Sequence, residues 1–237
     1  MADAAPVKRF WKDVSVEPTQ GGFRVLLDTR PLRTQGGAPQ VVPTRALAEA
    51  LAEEWRAQGD EVDPASFPIR DSADFAIDHV GADREAVIEG LLRFAETDTL
   101  CYRADPDEPL FARQQQLWEP VLGAAEQRLG VQFRRISGII HHPQPAATLD
   151  RLREELRELD DFTLAAVQAL APVAASLTVA LAVLQPGTDP EQLFAVSNAE
   201  EDWQAEQWGW EWTAEELRAR RLATFLAAAR FVDLLRD

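Results

Sequence analysis

The first forty residues alternate apolar and polar positions as a strand does. Phe10, Val14 and Val16 fall on one side of the segment at 10–16, and Pro18-Thr19-Gln20-Gly21-Gly22 supplies turn residues, among them glycines free to take positive φ. Phe23, Val25 and Leu27 alternate on the return, which predicts a hairpin. A second loop at 34–39 leads to the short run Gln40-Val41-Val42, closed by Pro43. Three or four short strands bury too little to stand alone, so this sheet is expected to lean on the helices that come after it in the chain.

From Thr44 the period becomes helical. Thr44 is placed as an N-cap, Leu47, Leu51 and Trp55 recur every four residues, and Gly59 stands where a left-handed C-terminal residue is wanted. The stretch 62–69 has two prolines and is expected to be an extended connector. Asp83 caps a helix with a stripe of Val87, Ile88, Leu91, Leu92 and Ala95. Leu117, Val121, Ala125 and Leu129 mark another, ended by Gly130 and either kinked or begun at Pro120. Val131-Gln132-Phe133 is expected to be a short strand, and His141-His142-Pro143 a turn. Beyond it Leu149, Leu152, Leu156 and Leu159 form a stripe, and the apolar run at 169–184 is a buried central helix. After Pro186-Gly187, Asp189-Pro190-Glu191-Gln192 is a helix start, with Pro at the first position and Gln192 completing a capping-box pattern. Thr213-Ala214-Glu215-Glu216 repeats that device ahead of a last helix that buries Leu217, Phe225, Ala228, Val232 and Leu235. The predicted class is α+β: a small N-terminal β-rich part, residues 1–62 and ending in a helix, against a larger, mainly helical part, residues 63–237.

Composition narrows the function. The chain has 237 residues, 46% hydrophobic and 27% charged, enough for a sizeable core without a staple. Forty acidic residues against 24 basic ones give a formal charge of -16, which disfavours nucleic acid and anionic membranes as partners. Cys101 is the only cysteine, so no intrachain disulfide forms and a reducing compartment is expected. The start lacks the apolar core of a secretory signal, and the run at 169–184 contains Pro172, Ser176 and Thr178 and is short for a membrane span. Only Lys8 and Lys12 are lysines, and neither follows a Gly-rich turn, which removes Schiff-base and P-loop chemistry.

Catalytic signatures are scarce. The histidines are His79, His141 and His142, and the adjacent pair in an extended segment points its rings to opposite sides, as neither a metal site nor a triad requires. No metal, cofactor or catalytic residue is assigned. His79 shares a helical face with Phe75. Asp160-Asp161 do not converge and are expected to be a cap or a solvated face. The informative stretch is 200–212, Glu-Glu-Asp-Trp-Gln-Ala-Glu-Gln-Trp-Gly-Trp-Glu-Trp, with Trp203, Trp208, Trp210 and Trp212 among five carboxylates and no basic residue. Two readings are open on composition. The tryptophans anchor a partner while the acids steer it, or they wedge between helices while the acids face water. A compromise places Trp203 inward and Trp210 and Trp212 near an exposed bend at Gly209. Trp55, with period-four partners, is assigned to the core, and Phe10 and Trp11 to structure.

Several fragments, in order, resemble one family: Arg9-Phe10-Trp11-Lys12-Asp13-Val14 with Gly21-Gly22-Phe23 and Leu27-Asp28-Thr29-Arg30; Glu54-Trp55; Thr97-Asp98-Thr99-Leu100-Cys101-Tyr102-Arg103; Trp118-Glu119-Pro120; and Trp208-Gly209 with Glu211-Trp212 before Leu217-Arg218-Ala219-Arg220. The chain resembles the Atp12-type assembly chaperones of the F1 part of ATP synthase. The resemblance implies a non-enzymatic, ATP-independent holder of the free F1 α subunit that prevents its aggregation until it meets β. It implies no cofactor, a monomer, and a bacterial cytoplasmic member, or a mitochondrial matrix protein in mature form. It also implies an important acidic residue near the Trp-Gly…Glu-Trp element. Glu211 leads, with Glu206 and Glu215 as the alternatives if the alignment slips, and Trp203, Trp208, Trp210 and Trp212 join Glu206 and Glu211 as partner-binding candidates. The competing classes are an acidic scaffold for another partner and a hydrolase using carboxylates of the C-terminal helices.

Overall fold

A computed structural model describes residues 8–138 and 140–236. The expected hairpin forms from β1 (Val14–Thr19) and β2 (Gly22–Leu27), antiparallel with Val16 opposite Val25, and β3 (Arg30–Pro31) completes a three-stranded sheet in the order β1-β2-β3. Gly22 has φ +151, and a Cβ there would lie 2.1 Å from the Val42 carbonyl oxygen, so only glycine lets β2 approach that chain. The run at 40–42 adds one bridge, Phe23 to Val42, and no full strand. Pro43 denies it the next donor. Phe10 departs from expectation: it lies ahead of β1 and is 60% exposed, while its neighbour Trp11 turns inward at 3%.

Helix α1 (Arg45–Arg56) starts where expected, with the Thr44 side chain accepting from the Leu47 N–H, and it buries Leu47 and Leu51. It stops at Ala57, a right-handed residue, so Gly59 is not its cap. The connector at 62–69 is not extended. A 3-10 turn (Pro64–Ser66) capped by Asp63 runs into α2 (Pro68–Phe75), because each proline takes a first helical position. Helix α2 continues into a π-helical turn (Ala76–Val80) that sets His79 edge-on to Phe75 at 5.0 Å. Asp83 caps α3 (Arg84–Glu96) as expected.

Helix α4 (Pro109–Leu129) runs straight through Pro120 in sequence and ends on Gly130 at φ 68, so Pro120 is not its start. No strand forms at 131–133. Instead β4 (Tyr102–Arg103) pairs in parallel with β5 (Ile136–Ser137), and the Glu126 carboxylate accepts the Phe133 N–H. Helix α5 (Ala146–Glu158) carries the leucine stripe.

The apolar run is two helices, α6 (Asp161–Ala174) and α7 (Leu177–Val183). Ala175 turns left-handed at φ 47, Ser176 caps α7 through the Val179 N–H, and the buried Asp98 carboxylate accepts the Thr178 N–H at 2.9 Å. A local cap therefore overrides apolar periodicity. Asp189 caps α8 (Pro190–Ser197), with Pro190 at the first helical position. Helix α9 (Ala199–Trp208) and α10 (Trp212–Leu234) end the chain. Helix α6 is the centre of the core, against α10, α7, α2 and α3, and α1 sits between the sheet and the helices α2 and α10.

Two further expectations fail in α10. Its N-cap is Glu211, whose carbonyl accepts from Ala214 and Glu215, so Thr213 already lies inside the helix. Leu217 is exposed, because the buried residues of α10 begin only at Phe225 and the earlier turns run past the neighbouring helices.

Candidate functional site

The acidic tryptophan stretch forms a helical corner. Helix α9 ends at Gly209, whose φ of 81 and ψ of 164 reverse the chain, and α10 begins three residues later. Helix α9 buries only Ala199, so hydrophobic burial does not hold the corner in place. Ionic contacts do. The Arg218 guanidinium pairs with Asp202 at 2.6 Å and reaches Glu201 at 3.8 Å. It also lies 5.0 Å from the Phe194 ring and 5.7 Å from the Trp210 ring, so one side chain links the core, α9 and the bend. Arg221 repeats the pattern one turn on, pairing with Glu201 at 3.3 Å and donating to the Asn198 amide oxygen. From α4, Arg113 pairs with Glu206 at 3.1 Å and Gln114 donates to Glu200 at 2.6 Å. Burial raises the Asp202 carboxyl above its ordinary range, opposed by Arg218.

The six sequence candidates separate by exposure. Trp203 is half-buried against the corner. Trp208 is 79% and Trp212 73% exposed, and Trp210, flanked by Arg218, is 38% exposed. Glu206 is engaged by Arg113, whereas Glu211 and Glu215 are exposed and make no ion pair among the described residues. The corner therefore presents two large indoles and free carboxylates to solvent on a braced backbone. Arg113, Arg218, Arg221 and Asp202 complete it, and the sequence pattern does not single them out. Only Arg218 falls in a family-like fragment, and nothing in the sequence says that it meets Asp202 sixteen positions earlier.

The other aromatics have the opposite setting. Trp11 stands edge-on to Trp55 at 5.1 Å, and Trp55, half-buried, leans on Phe67 at 4.7 Å. Exposed Phe10 meets Trp11 edge-on at 5.2 Å. Next to Trp55, the Glu54 carboxylate accepts the N–H groups of Ile69 and Arg70, which closes the first turn of α2 onto α1. Trp118 is fully buried and its indole N–H donates to the Val196 carbonyl at 2.8 Å.

Cys101 is buried, and burial raises its thiol well above the ordinary range, leaving it inert as a nucleophile. Among the described residues no group of three His, Cys, Asp or Glu side chains converges as metal ligands would. Among the same residues no helix is long and apolar enough to cross a membrane.

Comparison with known proteins agrees along the chain. The sequence profile of the ATP12 chaperone protein family matches residues 8–126. A mitochondrial protein atp12 of Schizosaccharomyces pombe is 30% identical over 238 residues, covering 95% of this chain and 82% of that one. The crystal structure of Atp12 from Paracoccus denitrificans superposes with a TM-score of 0.90 at 40% identity, covering 97% of this chain and 98% of that chain. A mutant of the same protein gives a TM-score of 0.91 at the same identity and coverage.

Proposed function

The chain belongs to the ATP12 chaperone family, the assembly chaperones of ATP synthase, and from that premise we propose that it binds the unassembled α subunit of the F1 sector and keeps it from aggregating until it pairs with β. A free α subunit exposes a surface meant for β, and a large apolar surface of that kind aggregates unless it is covered. A holder that must later let go needs a polar-rimmed interface with a few aromatic anchors in place of a maximally apolar one. The observation that carries the reading is the braced corner, where Trp208 and Trp212 stand exposed beside Glu211 and Glu215. We assign Trp208, Trp210 and Trp212 as anchors, with Trp203 supporting them from beneath. Glu211 and Glu206 are the carboxylates that set register, and Glu215 extends the same acidic rim.

The holder works without ATP and without making or breaking bonds in its client. It acts as a monomer in the cytoplasm of a bacterium, or in the mitochondrial matrix in a eukaryotic host. Purification of the tagged chain from its native host tests the assignment. The F1 α subunit is expected in the complex, and complexes free of any ATP-synthase component contradict it.

A further inference from the structure

The corner leaves a larger concavity unused. Helices α4, α7 and α8 enclose a groove of about 630 Å³, inside the ~300–1,000 Å³ range of clefts that take ligands. Its walls are apolar: Leu117 and Val121 of α4, Ala182 of α7, and Leu193 and Val196 of α8. The Trp118-Glu119-Pro120 motif shapes it. Trp118 ties α4 to α8 through the Val196 carbonyl, and Glu119 faces away toward Arg103 and Arg135. Pro120 lines the groove together with Gln116. Proline has no N–H, so the Gln116 carbonyl lacks the helical donor it would receive from position 120. An apolar wall thus carries a backbone acceptor that its own helix does not satisfy.

We infer that this groove seats an extended, aliphatic-rich segment of the polypeptide client, whose backbone N–H meets the Gln116 carbonyl. The inference rests on the chaperone reading above. A polypeptide brings both things the groove asks for, branched side chains for the walls and an amide donor for the carbonyl. A lipid chain brings no donor, and the interior of a helix keeps its amides for itself. Continuity with the corner points to the same client. Helix α4 lines the groove with Gln116 and Leu117, and it holds α9 through Arg113 and Gln114 only a turn earlier. Helix α8 leads directly into α9 at Asn198. The corner supplies aromatic anchors and charge, and the groove supplies the apolar seat.

Two variants test it, Ala124→Trp, which fills the groove from an exposed position of α4, and Val121→Asp, which charges its wall. Each is expected to raise the chaperone concentration giving half-maximal suppression of α-subunit aggregation by about tenfold or more, with the melting temperature unchanged. Hydrogen exchange on the unmodified protein is the second measurement: amides at 116–125 and 190–196 should gain protection when the α subunit is bound. A photo-crosslinker at position 124 should label an aliphatic stretch of that subunit. Parent-like suppression by both variants, or no protection of the α4 and α8 amides in a formed complex, overturns the inference. Crosslinks to a second copy of this chain overturn it as well. If the unmodified chain fails to protect the α subunit at all, the chaperone reading itself falls, which is a distinct result.

Discussion

The two aromatic regions of this molecule use one residue type for opposite ends. Near the N-terminus, Trp11 and Trp55 meet ring to ring and bear on Phe67, so their surfaces are consumed by the fold. At the α9–α10 corner, Trp208 and Trp212 face solvent, and the backbone beneath them is held by arginine–carboxylate contacts. Rings that pack on rings contribute stability. Rings held out on an ionic brace contribute a surface.

The comparison breaks most visibly if the N-terminal rings are not structural. Trp11→Ala should destabilise by about 3–5 kcal/mol, the usual loss for a buried aromatic. In a chain of this size that lowers the melting temperature by roughly 6–20 °C. A shift of a degree or two would move Trp11 into the class of surface residues. Trp55→Ala should cost less, since that ring is only half-buried.

The brace comes next. Arg218→Ala removes a charged pair with Asp202 and the contacts to Phe194 and Trp210. A loss of about 1–3 kcal/mol is expected in thermal unfolding, with Trp210 fluorescence shifting as its ring is freed. Arg218→Lys should recover part of the stability and little of the fluorescence, because an ammonium pairs with a carboxylate but does not stack as a guanidinium does.

A third test concerns the joint between the halves. Burial raises the Asp98 carboxyl above its ordinary range, despite the N–H groups of Thr178 and Leu100 that it accepts. Its folded pKa thus lies above its unfolded value of about 3.9. The stabilisation linked to that shift is complete while both states are protonated, and it is lost as pH rises through the folded pKa. Denaturant titrations from about pH 4 upward should show this falling contribution in the parent and its absence in Asp98→Asn.

Much of the fold is legible in the sequence, for reasons that differ by element. Caps with a polar side chain before an apolar stripe are local, so Thr44, Asp83 and Asp189 declare their helices. The break at Ala175–Ser176 is hidden because apolar periodicity continues across it, and the buried carboxylate that steadies the second helix comes from Asp98, eighty positions earlier. The strand at Ile136–Ser137 is hidden for the same reason, as its partner is Tyr102–Arg103. At the site, the density of tryptophan and acid marks residues 203–212, and Gly209 marks the bend. Composition does not say which indoles face out. That depends on Arg218 and Arg221 reaching back to α9, and on α10 running past its neighbours before Phe225.

The smallest effect on stability should be the largest on function. Trp208→Ser and Trp212→Ser combined, and Glu211→Lys alone, are expected to change folding stability by no more than about 0.5 kcal/mol per site. The direct measurement is light scattering of F1 α subunit diluted from denaturant, with the parent chain and each of these variants present at equal concentration. The account predicts that the parent suppresses aggregation while the folded corner variants do not. Suppression by both variants equal to that of the parent would contradict it.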